Sequence, residues 1–172
     1  RDAFFSCWEE FDHLGYVKGR NITDADKRYR EFLKDRSLQR AGLIDSSLPF
    51  SADECPAYRT AEISSQFIEE NKNEKFCLIV SFADPHHPHV VPKPYDSRYK
   101  PDELGALEAL SVEWDKQPFT HRFSSHCLSG VGSADYTETQ RRKLLATYYG
   151  QISFVDASLM LMFESLRRNQ IK

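Results

Sequence analysis

The chain has 172 residues, 40% hydrophobic and 28% charged, which suits one soluble globular unit or a piece of a larger one. Its formal net charge of -3, with both signs interspersed, provides no basic surface for nucleic acid. No apolar run reaches the length of a membrane span and no signal peptide is visible. The chain opens on Arg1 and its methionines are Met160 and Met162, so it is expected to be an internal piece of a longer protein. Cys7, Cys55, Cys77 and Cys127 lack CxxC spacing, which argues against zinc, and they leave the compartment open.

In chain order, residues 1–20 read as irregular structure. Thr23 is placed to cap a helix, with Asp24 and Asp26 in its first turn and Tyr29, Phe32 and Leu33 as its apolar stripe; Gly42 can end it. Residues 43–55 read as loop. Pro56 suits the first turn of a second helix whose buried face is Ile63, Phe67 and Ile68. A polar turn follows, and then Phe76-Cys77-Leu78-Ile79-Val80-Ser81-Phe82. That run is apolar without alternation, which predicts a strand buried on both faces in a parallel sheet, with Cys77 in the core. The helix–turn–strand order predicts an α/β layered domain.

Residues 83–94 contain four prolines, which forbid regular helix or sheet. Residues 95–136 read as a long excursion with one short helix near 102–110. The last element is the clearest. Thr137 and Gln140 form a capping-box pattern, and Leu145, Tyr148, Tyr149, Ile152, Val155, Leu159, Met162, Phe163 and Leu166 follow at helical spacing. At 1.5 Å per residue that helix is roughly 45 Å long. A helix of that length suggests a large sheet for it to lie against.

The loop after the expected strand is where chemistry is best sought, because ligands of open α/β sheets bind beyond the carboxyl ends of the strands. His86 sits four residues past Phe82 on that edge. Its imidazole could hydrogen-bond an anionic ester oxygen or assist a leaving group near neutral pH. A surface loop that is merely rich in His and Pro is the bland alternative. Lys93 is the second candidate, as a cation favouring an anionic substrate, against the simpler reading of a solvated lysine between two prolines. A transition-metal site on His86, His87 and His89 is disfavoured, since adjacent side chains in an extended loop point apart.

The stretch 76–88 resembles the central strand and P-H-x-P motif of the sulfatase family, within the alkaline-phosphatase-like superfamily. Val91-Pro92-Lys93-Pro94-Tyr95-Asp96 and Tyr99-Lys100-Pro101-Asp102 resemble the loop that follows that motif. Residues 148–156, Tyr-Tyr-Gly-Gln-Ile-Ser-Phe-Val-Asp, are similar to the family's helix before its C-terminal metal-ligand strand, and Phe11-Asp12-His13-Leu14-Gly15 to a stretch after its upstream Lys-His motif. The resemblance implies that residues 1–172 are the central part of an alkaline-phosphatase-like layered domain, a central parallel sheet flanked by helices. It implies hydrolysis of a small-molecule or carbohydrate sulfate ester by a formylglycine nucleophile, with calcium or another divalent metal, or of a phosphate or phosphonate ester. By position, His86 matches the family's substrate-contacting histidine. The family's Asp pair for the metal, its Gly-Lys-Trp-His segment and its downstream Asp-His/Asn pair are absent, so metal ligands are expected outside this chain. Cys55-Pro56-Ala57-Tyr58-Arg59 formally satisfies the nucleophile pattern C-x-A-x-R. It lies 31 residues before His86 without the family's intervening segment, so an ordinary cysteine at a helix start is favoured. A non-catalytic binding module that kept the scaffold is the competing function.

Overall fold

The structure, a computed structural model, describes residues 7–12, 15–34, 48–86, 88–105, 116, 118–120 and 137–171. Strands β1 (Glu10–Asp12) and β2 (Gly15–Lys18) form an antiparallel pair with a register shift between Glu10 and Phe11. These strands correct the expectation of irregular structure at 10–12 and 15–18. Gly15 takes a φ of +103° where β2 begins, a conformation that a side chain would oppose. The ring of Phe11 meets Tyr16 edge-on at 4.8 Å.

Helix α1 (Asp24–Lys34) starts as the sequence predicts. The Asp26 N–H donates to Thr23 Oγ1 at 3.1 Å, and Thr23 N–H donates back to the Asp26 carboxylate at 2.8 Å. That reciprocal pair satisfies donors the helix itself leaves free. Tyr29 and Leu33 are buried on its inner face. The expected C-terminal end of this helix, toward Gly42, lies outside the described residues. Helix α2 (Pro56–Glu70) buries Ala57, Ala61, Ile63, Ser64 and Ile68. Arg59 ties α2 to α1 through Asp26 at 3.4 Å and to Asn21 O at 2.9 Å, and it also pairs with Glu62. The Asp26 and Arg59 side chains are only 3% and 11% exposed, so removing either would leave a poorly hydrated charge.

The long helix α3 (Glu138–Arg168) is capped as predicted, with Gln140 N–H donating to Thr137 Oγ1 at 3.2 Å and Thr137 N–H to Gln140 Oε1 at 2.8 Å. Its buried face differs from the expected one. Ala146, Thr147, Gly150, Gln151, Phe154, Ser158 and Ser165 are buried, while Tyr148, Tyr149, Ile152, Met160 and Phe163 are exposed. Small residues win the buried face because they let other backbone come close. Helices α2 and α3 run in the same direction, since Phe154 joins Cys55 and Ala57 in one core cluster while Ser165 Oγ donates to Ser65 O at 3.3 Å and Arg168 pairs with Glu69.

The run 76–82 departs most from expectation. It is extended but belongs to no sheet, and among the described residues only β1 and β2 pair in a ladder. Phe76 meets Phe67 of α2 at 5.6 Å and Phe82 packs on the Cys55–Phe154 core, so the run returns antiparallel to both helices. Phe76, Leu78, Val80 and Phe82 are half-buried, whereas Cys77 is exposed and Ile79 is 73% exposed. The expected core position of Cys77 is thereby corrected. A parallel strand needs neighbours to take its hydrogen bonds, and the described residues supply none. The fold is therefore mixed: helices around a small core, plus one two-stranded sheet. It is compatible with part of an α/β domain. The short helix expected near 102–110 is a single 3-10 turn at Pro101–Glu103, and residues 106–110 lie outside the described ones.

Candidate functional site

The extended run delivers the chain to a tight turn at 83–86. The Asp84–Pro85 peptide is cis, and His86 N–H donates to Ala83 O at 3.0 Å, closing a turn of the type that places a cis-proline third. His86 itself is exposed at the end of that turn. It lies four residues beyond Phe82, the last residue of the extended run.

From Asp84 onward the loop is laid along α3. The Gln151 amide donates from Nε2 to Asp84 Oδ1 at 3.2 Å, and its Oε1 lies 2.9 Å from His89 Nδ1. The His89 ring meets Tyr148 edge-on at 5.8 Å. Val91 and Pro92 are wholly buried beside Gly150. The Lys93–Pro94 peptide is also cis. Tyr95 packs on Phe154 at 5.1 Å, and Tyr99 bonds Ser153 Oγ at 2.8 Å and meets the Tyr149 ring at 5.5 Å. One helix face thus receives the loop from Asp84 to Tyr99.

The electrostatics of the turn centre on Asp84. Its carboxyl faces inward although the residue keeps some exposed surface, and burial pushes it up to about 6, the Gln151 hydrogen bond offsetting only part of that. Cys55 is 1% exposed and donates from Sγ to Ser51 O at 3.3 Å. Burial first, then the nearby Asp84, Glu54 and Asp53 carboxylates, hold its thiol far above the ordinary range. Tyr29 is raised in the same way, by burial and then by Asp84 and Cys55. Among the described residues the side-chain partner of Asp84 is the neutral Gln151 amide, and no ion pair holds its charge. The burial of Cys55 also weighs against it as the source of the nucleophile, since a side chain only 1% exposed is out of reach of an ester substrate. Arg59, the last residue of that C-x-A-x-R pattern, is engaged by Asp26, Glu62 and Asn21.

Lys93 is exposed and forms no ion pair among the described residues. No hydrogen bond or ion pair joins it to His86 among those residues. His87 lies outside the described residues, as do His13, His121 and His126. Among the described residues no three of His, Cys, Asp and Glu converge on a common point where a metal could bind. None of the described helices is long and apolar enough to cross a membrane.

Gln151 is the residue that sequence reasoning missed. A glutamine on a helix reads as solvated; the available signal was its place one turn from Thr147 and Phe154 and next to Gly150, on the face where bulky side chains are missing.

No family model matches the chain. The choline-sulfatase of Rhizobium meliloti (strain 1021) is 26% identical over 139 residues, covering 78% of this chain and 27% of that protein. The chain thus spans about a quarter of the length of the curated relative it matches. This likeness supports a sulfatase-like origin and a hydrolase parent.

Proposed function

We propose that residues 1–172 are the central portion of the catalytic domain of a sulfatase-type hydrolase, with His86 directed at the sulfate ester. The likeness to choline-sulfatase over 78% of the chain carries this reading. The exposed imidazole at the closed 83–86 turn is in keeping with it. An imidazole there can donate to a non-bridging ester oxygen or to the leaving oxygen as charge develops on it. Lys93 adds positive potential for an anionic substrate. A sulfate ester of a small alcohol such as choline is the first substrate to try, with phosphate and phosphonate esters as the alternatives.

In this reading the run 76–82 is a strand of a central parallel sheet in an alkaline-phosphatase-like layered domain. Its half-buried side chains already lie on two helices that run antiparallel to it, as crossover helices do in α/β units. The outward face with Cys77 and Ile79, and the backbone edges that have no ladder partner among the described residues, would be covered by the remainder of the parent domain. The exposed Ile152, Met160 and Phe163 of α3 are further apolar surface for it to cover.

Calcium or another divalent metal, where present in the parent, would polarise the ester oxygens. The described residues do not fit such an ion: Asp84, the carboxylate of the turn, is bonded to Gln151, and no cluster of ligands forms. Its ligands are assigned outside them, as is the formylglycine nucleophile, given the burial of Cys55.

The test compares the complete natural protein with the 172-residue chain on aryl and choline sulfates. The complete protein should turn them over and the chain alone should not. Turnover by the chain alone, lost on His86→Ala and on Cys55→Ala, would overturn the assignment of the nucleophile. Turnover of phosphonates in place of sulfates by the complete protein would select the alternative.

A further inference from the structure

A primary amide has one face that donates and one that accepts. Gln151 uses both, and it is 1% exposed, so water is poorly placed to substitute for either partner. An ionised carboxylate can only accept, so Asp84 must be met by the amide NH2. The amide oxygen is then left for His89, and an oxygen can only accept. His89 must therefore donate from Nδ1, which leaves Nε2 as the unprotonated nitrogen of the neutral ring. The two partners flank His86 in sequence, two residues before it and three after. A single side chain on α3 thus holds both ends of the 84–89 span, and the His86 N–H to Ala83 O bond fixes the turn at its start.

We propose that Gln151 is the positioning residue of the His86 loop, its amide clamping Asp84 and His89 together and setting His89 in the Nδ1–H tautomer. The clamp goes beyond the sulfatase reading and does not rest on it. Loss of the clamp frees the loop at both ends while leaving the helix core, built on Phe154 and Ser158, in place.

The experiment records two-bond imidazole nitrogen spectra of the full 172-residue chain at pH 7.5, with His89 assigned by the signal lost in His89→Gln. At that pH Asp84, pushed up to about 6, is ionised. Wild-type His89 should show a protonated Nδ1 and an unprotonated Nε2. Gln151→Leu should move the proton to Nε2 and speed water exchange of the His86 amide by about tenfold, the weight of roughly one net hydrogen bond. A wild-type His89 protonated on Nε2 overturns the proposal without any variant, which keeps it testable even if Gln151→Leu does not fold. An unchanged His89 signature and His86 exchange rate in a folded Gln151→Leu chain overturns it equally.

Discussion

Adding one methyl group at Gly150 tests how the loop is seated. An ideal Cβ there would lie 2.5 Å from the backbone oxygen of Tyr95 and 3.4 Å from Val91 Cγ1. The first distance is roughly 1 Å short of an ordinary van der Waals separation. The offending atom is backbone, and Tyr95 is fixed by its N–H to Pro92 O at 2.9 Å and by its ring on Phe154, so it cannot rotate away. Overpacking of this kind costs about 1–3 kcal/mol. Alanine in place of glycine in a helix interior returns about 1 kcal/mol. Gly150→Ala should therefore destabilise the chain by about 1 kcal/mol net, as a fall in the urea midpoint at unchanged slope. Ala157→Gly, at an exposed site on the same helix, calibrates the propensity contribution and should cost about 1 kcal/mol. If Gly150→Ala stabilises the chain by as much as Ala157→Gly weakens it, the loop does not press on the helix at Gly150 and the seating described above is wrong.

Asp84 makes stability depend on pH in an uncommon direction. Its folded-state value of about 6 lies above the unfolded one, so its contribution is fully present below about pH 4 and is lost as pH rises through about 6. The loss amounts to about 3 kcal/mol at most. Asp84→Asn should abolish that slope, and the difference between the two proteins' urea midpoints from pH 4 to 7 measures it; parallel profiles would show that the carboxyl is hydrated. Ile79→Lys should change the stability of the 172-residue chain by no more than about 0.5 kcal/mol, because Ile79 is 73% exposed. In the complete natural protein the same change should cost about 3–5 kcal/mol by burying a charge, read by thermal or urea unfolding; an equally small effect in both would remove 76–82 from the interior of any sheet.

What the sequence disclosed followed the range of the forces involved. The starts of α1, α2 and α3 were legible because capping and first-turn proline are local: Thr23 with Asp26, Pro56, and Thr137 with Gln140 each settle the matter within four residues. The irregular course of the loop after Phe82 was legible through its prolines. The β1–β2 hairpin was not, since seven strand residues with a bulge carry too short an alternation. The buried face of α3 was misread because apolar periodicity counts bulk, whereas close approach at Gly150 and Ser158 selects small residues. The role of Gln151 was hidden for another reason: its partners lie 62 and 67 residues away. The run 76–82 shows apolar composition without the pairing it predicts, because ladder partners are a property of neighbours and not of the strand itself.

The most direct measurement of the central claim is kcat/KM for sulfate-ester hydrolysis by the complete natural protein and by its His86→Ala variant. The account predicts a loss on the order of 10²–10⁴-fold with the urea midpoint unchanged, since His86 is exposed and its removal opens no core cavity. Equal activity in the two proteins, or no sulfate-ester hydrolysis by the complete protein under any metal condition, would contradict it.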